Sequence, residues 1–110
     1  MDSYYKPEHL PKFSEIAQGN DSLARKFFDY YGEVFAEGAL SVREKSLIAL
    51  AVAHAVQCPY CIDAYTTGSL EAGADLEQMT EAVHVATAIR GGASLVHGIQ
   101  MLEQVKKAGM

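Results

Sequence analysis

The chain has 110 residues, of which 49% are hydrophobic and 21% charged, enough for one domain with its own core and unlike a disordered segment. Fourteen acids against nine bases give a net charge of −5, and the bases sit singly or in pairs such as Arg25-Lys26 and Lys106-Lys107. With no basic stripe to neutralise phosphates, neither nucleic acid nor an anionic membrane surface is an expected partner.

The start, residues 1–11, holds Lys6, Glu8 and two tyrosines without an apolar run, so it does not read as a secretory signal. Residues 6–18 suggest a short irregular helix, weakened by Pro7 and Pro11. One domain is expected over 1–110, with 1–20 as a peripheral segment. Asp21 or Ser22 can cap a second helix that runs to about Glu37 and stops before Gly38. Its positions Leu23, Phe27, Tyr30, Val34 and Phe28, Tyr31, Phe35 follow the three-four spacing of one broad buried face.

Ser41 and Glu44 form the S-x-x-E pattern of a capping box, with Leu40 placed as a hydrophobic staple. The helix that follows, to about Val56, is apolar on every side from Leu47 to Ala53, which predicts the central, all-round buried helix of a bundle. Pro59 lacks the N–H for the carbonyl of Ala55, so this helix should stop near Gln57. Pro59 suits the first position of a new helix, with Cys58 as its cap, running to about Ala72 and ending at Gly73. Asp75 with Gln78 is a second capping box, opening a helix with Met79, Ala82, Val83, Ala86 and Ile89 on one face. Gly91-Gly92 predicts a kink, a break or a close helix crossing before a last helix over 93–107. The fold class is therefore all-α, a compact bundle of five to six helices. The longest charge-free stretch, 46–62, is short for a membrane span and is interrupted by His54, Gln57 and Pro59, so a soluble cytoplasmic protein is expected.

The chemistry concentrates at Cys58-Pro59-Tyr60-Cys61, the only two cysteines. A structural disulfide framework spaces its cysteines far apart; a pair three apart suggests chemistry instead. At a helix start, unpaired N–H groups and the positive dipole end favour thiolate over thiol at Cys58. Cys61, one turn on, can then resolve a sulfenic acid or mixed disulfide. Two bland readings compete: half of a zinc site completed by two of His54, His84 and His97, and a pair of inert buried thiols. His54 lies four residues before Cys58 and is either a packed histidine or the base that takes the thiol proton. Tyr65, four residues after Cys61, is either core or a hydrogen-bond donor to a thiolate, with an ordinary pKa too high for a base. Glu44 has a sufficient task in its capping box, and Asp63 reads as a first-turn acid.

The segments SVREKSLIALAVAH (41–54), CPYCIDAY (58–65) and LEAGA (70–74) together resemble the carboxymuconolactone decarboxylase and AhpD-like alkylhydroperoxidase family. HVATAIRGGASLVHG (84–98) with CPYCIDAYT is similar to an arsenosugar-biosynthesis-associated, peroxidase-like subgroup. The resemblance covers roughly 23–105. It implies a small helical protomer assembled as a homotrimer or homohexamer, and thiol-dependent reduction of a hydroperoxide or disulfide substrate. It also implies a thioredoxin-like or lipoyl-type electron donor, and no cofactor. The redox branch of the family reads Glu, Cys-x-x-Cys, then His four residues on. Here Tyr65 holds the histidine position, and Ser46 falls where the glutamate would be, with Glu44 two residues earlier. The expected catalytic set is Cys58 and Cys61, with His54, Tyr65 and Glu44 as candidates for the proton relay.

Overall fold

The computed structural model describes residues 5–109, which form one 3-10 helix and four α-helices. The 3-10 helix spans Pro7–Gln18, followed by α1 Asp21–Phe35, α2 Val42–Ala55, α3 Pro59–Glu71 and α4 Leu76–Lys107. No strand occurs among the described residues, and none of their helices is long and apolar enough to cross a membrane.

Local chemistry explains the helix starts. Both capping boxes form: Glu44 N–H donates to Ser41 Oγ at 3.1 Å while Ser41 N–H donates to Glu44 Oε1 at 2.9 Å. Asp75 and Gln78 make the same reciprocal pair at 2.8 and 3.0 Å. The ring closed at Ser41 holds the Glu44 carboxyl below the usual range, because two donors favour its charged form. The α1 cap is Asn20, not Asp21 or Ser22; its side-chain oxygen accepts from Leu23 N–H at 3.1 Å.

Two helices end in the same device. After α2, the N–H of Gln57 donates to His54 and that of Cys58 to Ala53, at 3.2 and 3.0 Å. After α3, Gly73 bonds Leu70 and Ala74 bonds Ser69, at 3.1 and 2.9 Å. Both are Schellman turns, which need a left-handed residue after the cap. Gln57 supplies it at φ 57° and Gly73 at φ 91°. A Cβ on Gly73 would meet nothing within 4 Å, so backbone conformation alone selects glycine there. Gly73→Ala is expected to lower stability by about 1 kcal/mol, read as a lower urea midpoint at unchanged slope.

α2 is the central element, packed on α3 and α4 and touching α1. Leu50, only 2% exposed, centres a small core with Ala74 and Met79, against which Leu47 and Tyr65 pack. Contrary to the expectation of all-round burial, α2 is buried on one side only. Ser46, Leu50 and Ala53 face inward, whereas Ile48 and Val52 are exposed. α1 departs in the same way: Phe28, Tyr31 and Phe35 are half-buried, but Leu23, Phe27, Tyr30 and Val34 are exposed. The spacing is that of an apolar face, but the other helices of the chain leave much of it uncovered.

Gly91-Gly92 neither breaks α4 nor marks a close crossing. The helix runs through both, and a Cβ on either would meet nothing within 4 Å. Each glycine costs a helix about 1 kcal/mol relative to alanine, too little to interrupt a long continuous helix. At 1.5 Å per residue α4 is about 48 Å long, and its second half projects past its neighbours. The radius of gyration is 18.9 Å, against about 13 Å for a globular chain of this length. The accessible surface is 8533 Å², against about 6,000 Å² for a monomer of this mass. Leu95, Ile99 and Leu102 form an exposed stripe along the projecting half.

Candidate functional site

Cys58 is the last residue of the Schellman turn after α2 and also the cap of α3. Its backbone N–H closes the first helix, and its Sγ accepts the N–H of Cys61 at 3.2 Å. Pro59 then occupies the first helical position, as expected. Cys58 and Cys61 are joined as a disulfide, their Cα atoms 5.2 Å apart, an ordinary separation for such a bond.

Two cavities meet at this pair. One, of about 410 Å³, is walled by apolar residues including Val34, Phe35, Ile48, Val52 and Val56, and reaches Cys61 and Tyr65. The other, of about 430 Å³, lies under the 3-10 helix and is bounded by Cys58, Tyr60, Cys61, His9 and Phe13. Cys61 therefore faces both cavities, and Cys58 only the second. Lys45 sets the wall of the first: its Nζ donates to the carbonyls of Val34 and Ala36 at 2.7 and 2.6 Å, tying the end of α1 to the start of α2. That clamp holds Phe35 stacked on Tyr65, with ring centroids 5.1 Å apart and planes within 18°.

The structure thus brings Cys58, Cys61 and Tyr65 together. Tyr65 is a half-buried wall between the core and the apolar cavity. Ser46 and Tyr65 line a common hollow of about 340 Å³ with Tyr31. His54 does not share a stripe with Cys58, because α2 ends at Ala55 and the backbone reverses at Gln57. Its Nδ1 lies 2.8 Å from the Leu50 carbonyl. A carbonyl only accepts, so Nδ1 is the donor, and Nε2 is the nitrogen left free by that contact. The ring's hydrogen bond goes to that carbonyl and not to a sulfur, and His54 lines neither cavity. Glu44 lies at the opposite end of α2, about 16 Å along the axis from Ala55, with its carboxylate engaged by Ser41. Among the described residues no three His, Cys, Asp or Glu gather to hold a metal ion, so the third and fourth ligands of the zinc reading are not supplied.

Sequence reading missed the cluster on the other side of the pair. Asp63, past the first turn of α3, accepts the hydroxyl of Tyr5. This bond, more than any other influence, pushes the Tyr5 pKa up to about 12. The Tyr5 ring meets Tyr60 edge-on at 4.7 Å, and His9 Nδ1 lies 3.4 Å from the Tyr60 hydroxyl. Contacts between residues more than fifty positions apart leave no periodic trace in a sequence. Arg90, also unremarked, donates to the Ala55 carbonyl and ties α4 to the corner that precedes Cys58.

An all-helical chain with a Cys-x-x-Cys disulfide at a helix start, open to an apolar cavity, defines a class of helical dithiol proteins. The chain belongs to the carboxymuconolactone decarboxylase family, whose model matches residues 21–104. It is similar to "Uncharacterized protein 4 in cox locus" of Paracoccus denitrificans, at 40% identity over 96 residues covering 87% of this chain and 86% of the other. Among solved structures it is similar to a crystal structure of a protein from Methanobacterium thermoautotrophicum, at 31% identity and a TM-score of 0.74. That match covers 78% of this chain and 97% of the other.

Proposed function

We propose that the chain is a dithiol peroxidase that reduces organic hydroperoxides, with Cys61 as the attacking sulfur and Cys58 as the resolving one. The observation that carries this reading is the position of Cys61 on an apolar cavity that Cys58 does not line. In the reduced chain, the Cys61 thiolate attacks the terminal oxygen of the hydroperoxide. The O–O bond breaks, the alcohol leaves with a proton, and Cys61 becomes a sulfenic acid. The Cys58 thiolate then attacks the Cys61 sulfur, the S–S bond forms, and the oxygen departs as water. The product is the disulfide seen here. A thiol donor returns two electrons to close the cycle. The family and the Cys-x-x-Cys pair support this reading; the decarboxylase branch does not depend on such a pair.

The test is a hydroperoxide titration of the reduced chain with thiol counting. One equivalent should remove two thiols per chain, and a chain that retains both thiols would overturn the proposal.

As proton acceptor we propose His54, four residues before Cys58, whose Nε2 is left free by the Leu50 contact; lining neither cavity, it would act on the thiol through water. Losing a base that lowers the thiol pKa by about one unit should slow alkylation by iodoacetamide about eightfold at pH 7 and less than about 1.5-fold at pH 9. His54→Ala is expected to show that pattern, with circular dichroism unchanged. Equal rates at pH 7 return His54 to a packing role.

A further inference from the structure

The segment before α1 lies outside the 21–104 stretch that the family model matches, yet it reaches the cysteine pair. Its contacts bracket the turn that carries the sulfurs. Tyr5 holds Asp63 and Tyr60, and His9 holds the Tyr60 hydroxyl. Tyr60 stands between the two cysteines, and Asp63 two residues beyond the second. At the other end, Phe13 packs edge-on to Phe28 at 5.0 Å, which fixes the segment to α1. Between these anchors the 3-10 helix roofs the cavity of about 430 Å³ that Cys58 lines. The roof narrows the approach to Cys58 to the mouth of that cavity, which a small dithiol passes more readily than a folded protein presenting its own cysteine.

We infer that segment 5–18 governs the reductive half of the cycle, admitting a small dithiol to Cys58 and keeping protein thiols from it. This rests on the reading that the pair cycles through its disulfide. A thiolate of the reductant attacks Cys58 Sγ, the Cys58–Cys61 bond breaks, and Cys61 leaves as a thiolate with the electron pair. The reductant's second thiol, having lost its proton to solvent, attacks the reductant sulfur of the mixed disulfide. Cys58 leaves as a thiolate and the reductant departs as its own disulfide, oxidised by two electrons. Tyr5 and His9 are positioning residues, since they touch Tyr60 and Asp63 and neither sulfur.

The test follows reduction of the oxidised full-length chain, without peroxide, by dithiothreitol and by reduced thioredoxin, read as free thiols against time. The variant is Tyr5→Phe/His9→Ala, which unlatches the segment while leaving the Phe13 anchor and all four α-helices intact. The thioredoxin rate should rise about tenfold, the scale expected from losing a hydrogen bond to a charged group, while the dithiothreitol rate changes less than about twofold. A ratio of the two rates that the substitution leaves unchanged overturns the inference. Because no peroxide enters this assay, that failure is separate from failure of the peroxidase reading. A disulfide that neither probe reduces overturns both.

Discussion

Cys61→Ser is expected to abolish hydroperoxide consumption, a loss of about a thousandfold or more, because the nucleophile itself is gone. Cys58→Ser should behave differently. Its Cys61 reacts once, loses one thiol per chain instead of two, and stalls as a sulfenic acid that dimedone traps. The asymmetry comes from placement: Cys61 faces the apolar cavity, whereas Cys58 is turned toward the 3-10 helix and caps α3. The opposite pattern, with Cys58→Ser inactive and Cys61→Ser trapped, would assign the attack to Cys58, as the helix start alone suggests. Full turnover by both variants would end the dithiol mechanism.

The second large effect concerns assembly, which we propose from the surface of α4. Leu95 is 82% exposed and Ile99 54% exposed on one stripe of the projecting half. Burying such a side chain is worth about 1.5–3 kcal/mol. Leu95→Glu/Ile99→Glu removes about four of them per pair of chains, weakening association by about four orders of magnitude or more. The wild-type chain should therefore scatter light as a homo-oligomer at micromolar concentration, and the double variant as a monomer of 11.9 kDa. Since neither residue is buried in the protomer, helicity should survive. A monomeric wild type, or an unchanged mass for the variant, would contradict this.

What could be read from the sequence was what is local. The two capping boxes, and Pro59 after its cap, depend on residues within a few positions of one another, and all are found as expected. The left-handed residue after α2 was not legible, because it is Gln57 where a glycine would have announced it. That one residue separates His54 from Cys58 on the helix surface, so a spacing of four did not become a shared stripe. Gly91-Gly92 does not bring the expected break, because glycine weakens a helix without ending it. Apolar spacing gave α1 one broad face and α2 an apolar run on every side, yet half of each is exposed, since a pattern records the wish to be buried and not the neighbour. The cluster of Tyr5, His9, Tyr60 and Asp63 joins distant parts of the chain, and only the fold could bring it into view.

The sulfur that caps α3 makes the helix start sensitive to electron count. A backbone N–H gives roughly twice as strong a hydrogen bond to an ionised acceptor as to a neutral one. In the disulfide, Cys58 Sγ is a neutral acceptor for the N–H of Cys61; as a thiolate it would be a charged one, sitting where the helix dipole also favours negative charge. This contact therefore binds the reduced state more tightly than the oxidised state. By thermodynamic linkage, whatever the cap adds to the reduced fold it subtracts from the persistence of the disulfide. The corner between α2 and α3 is thus a counterweight to the disulfide that it carries.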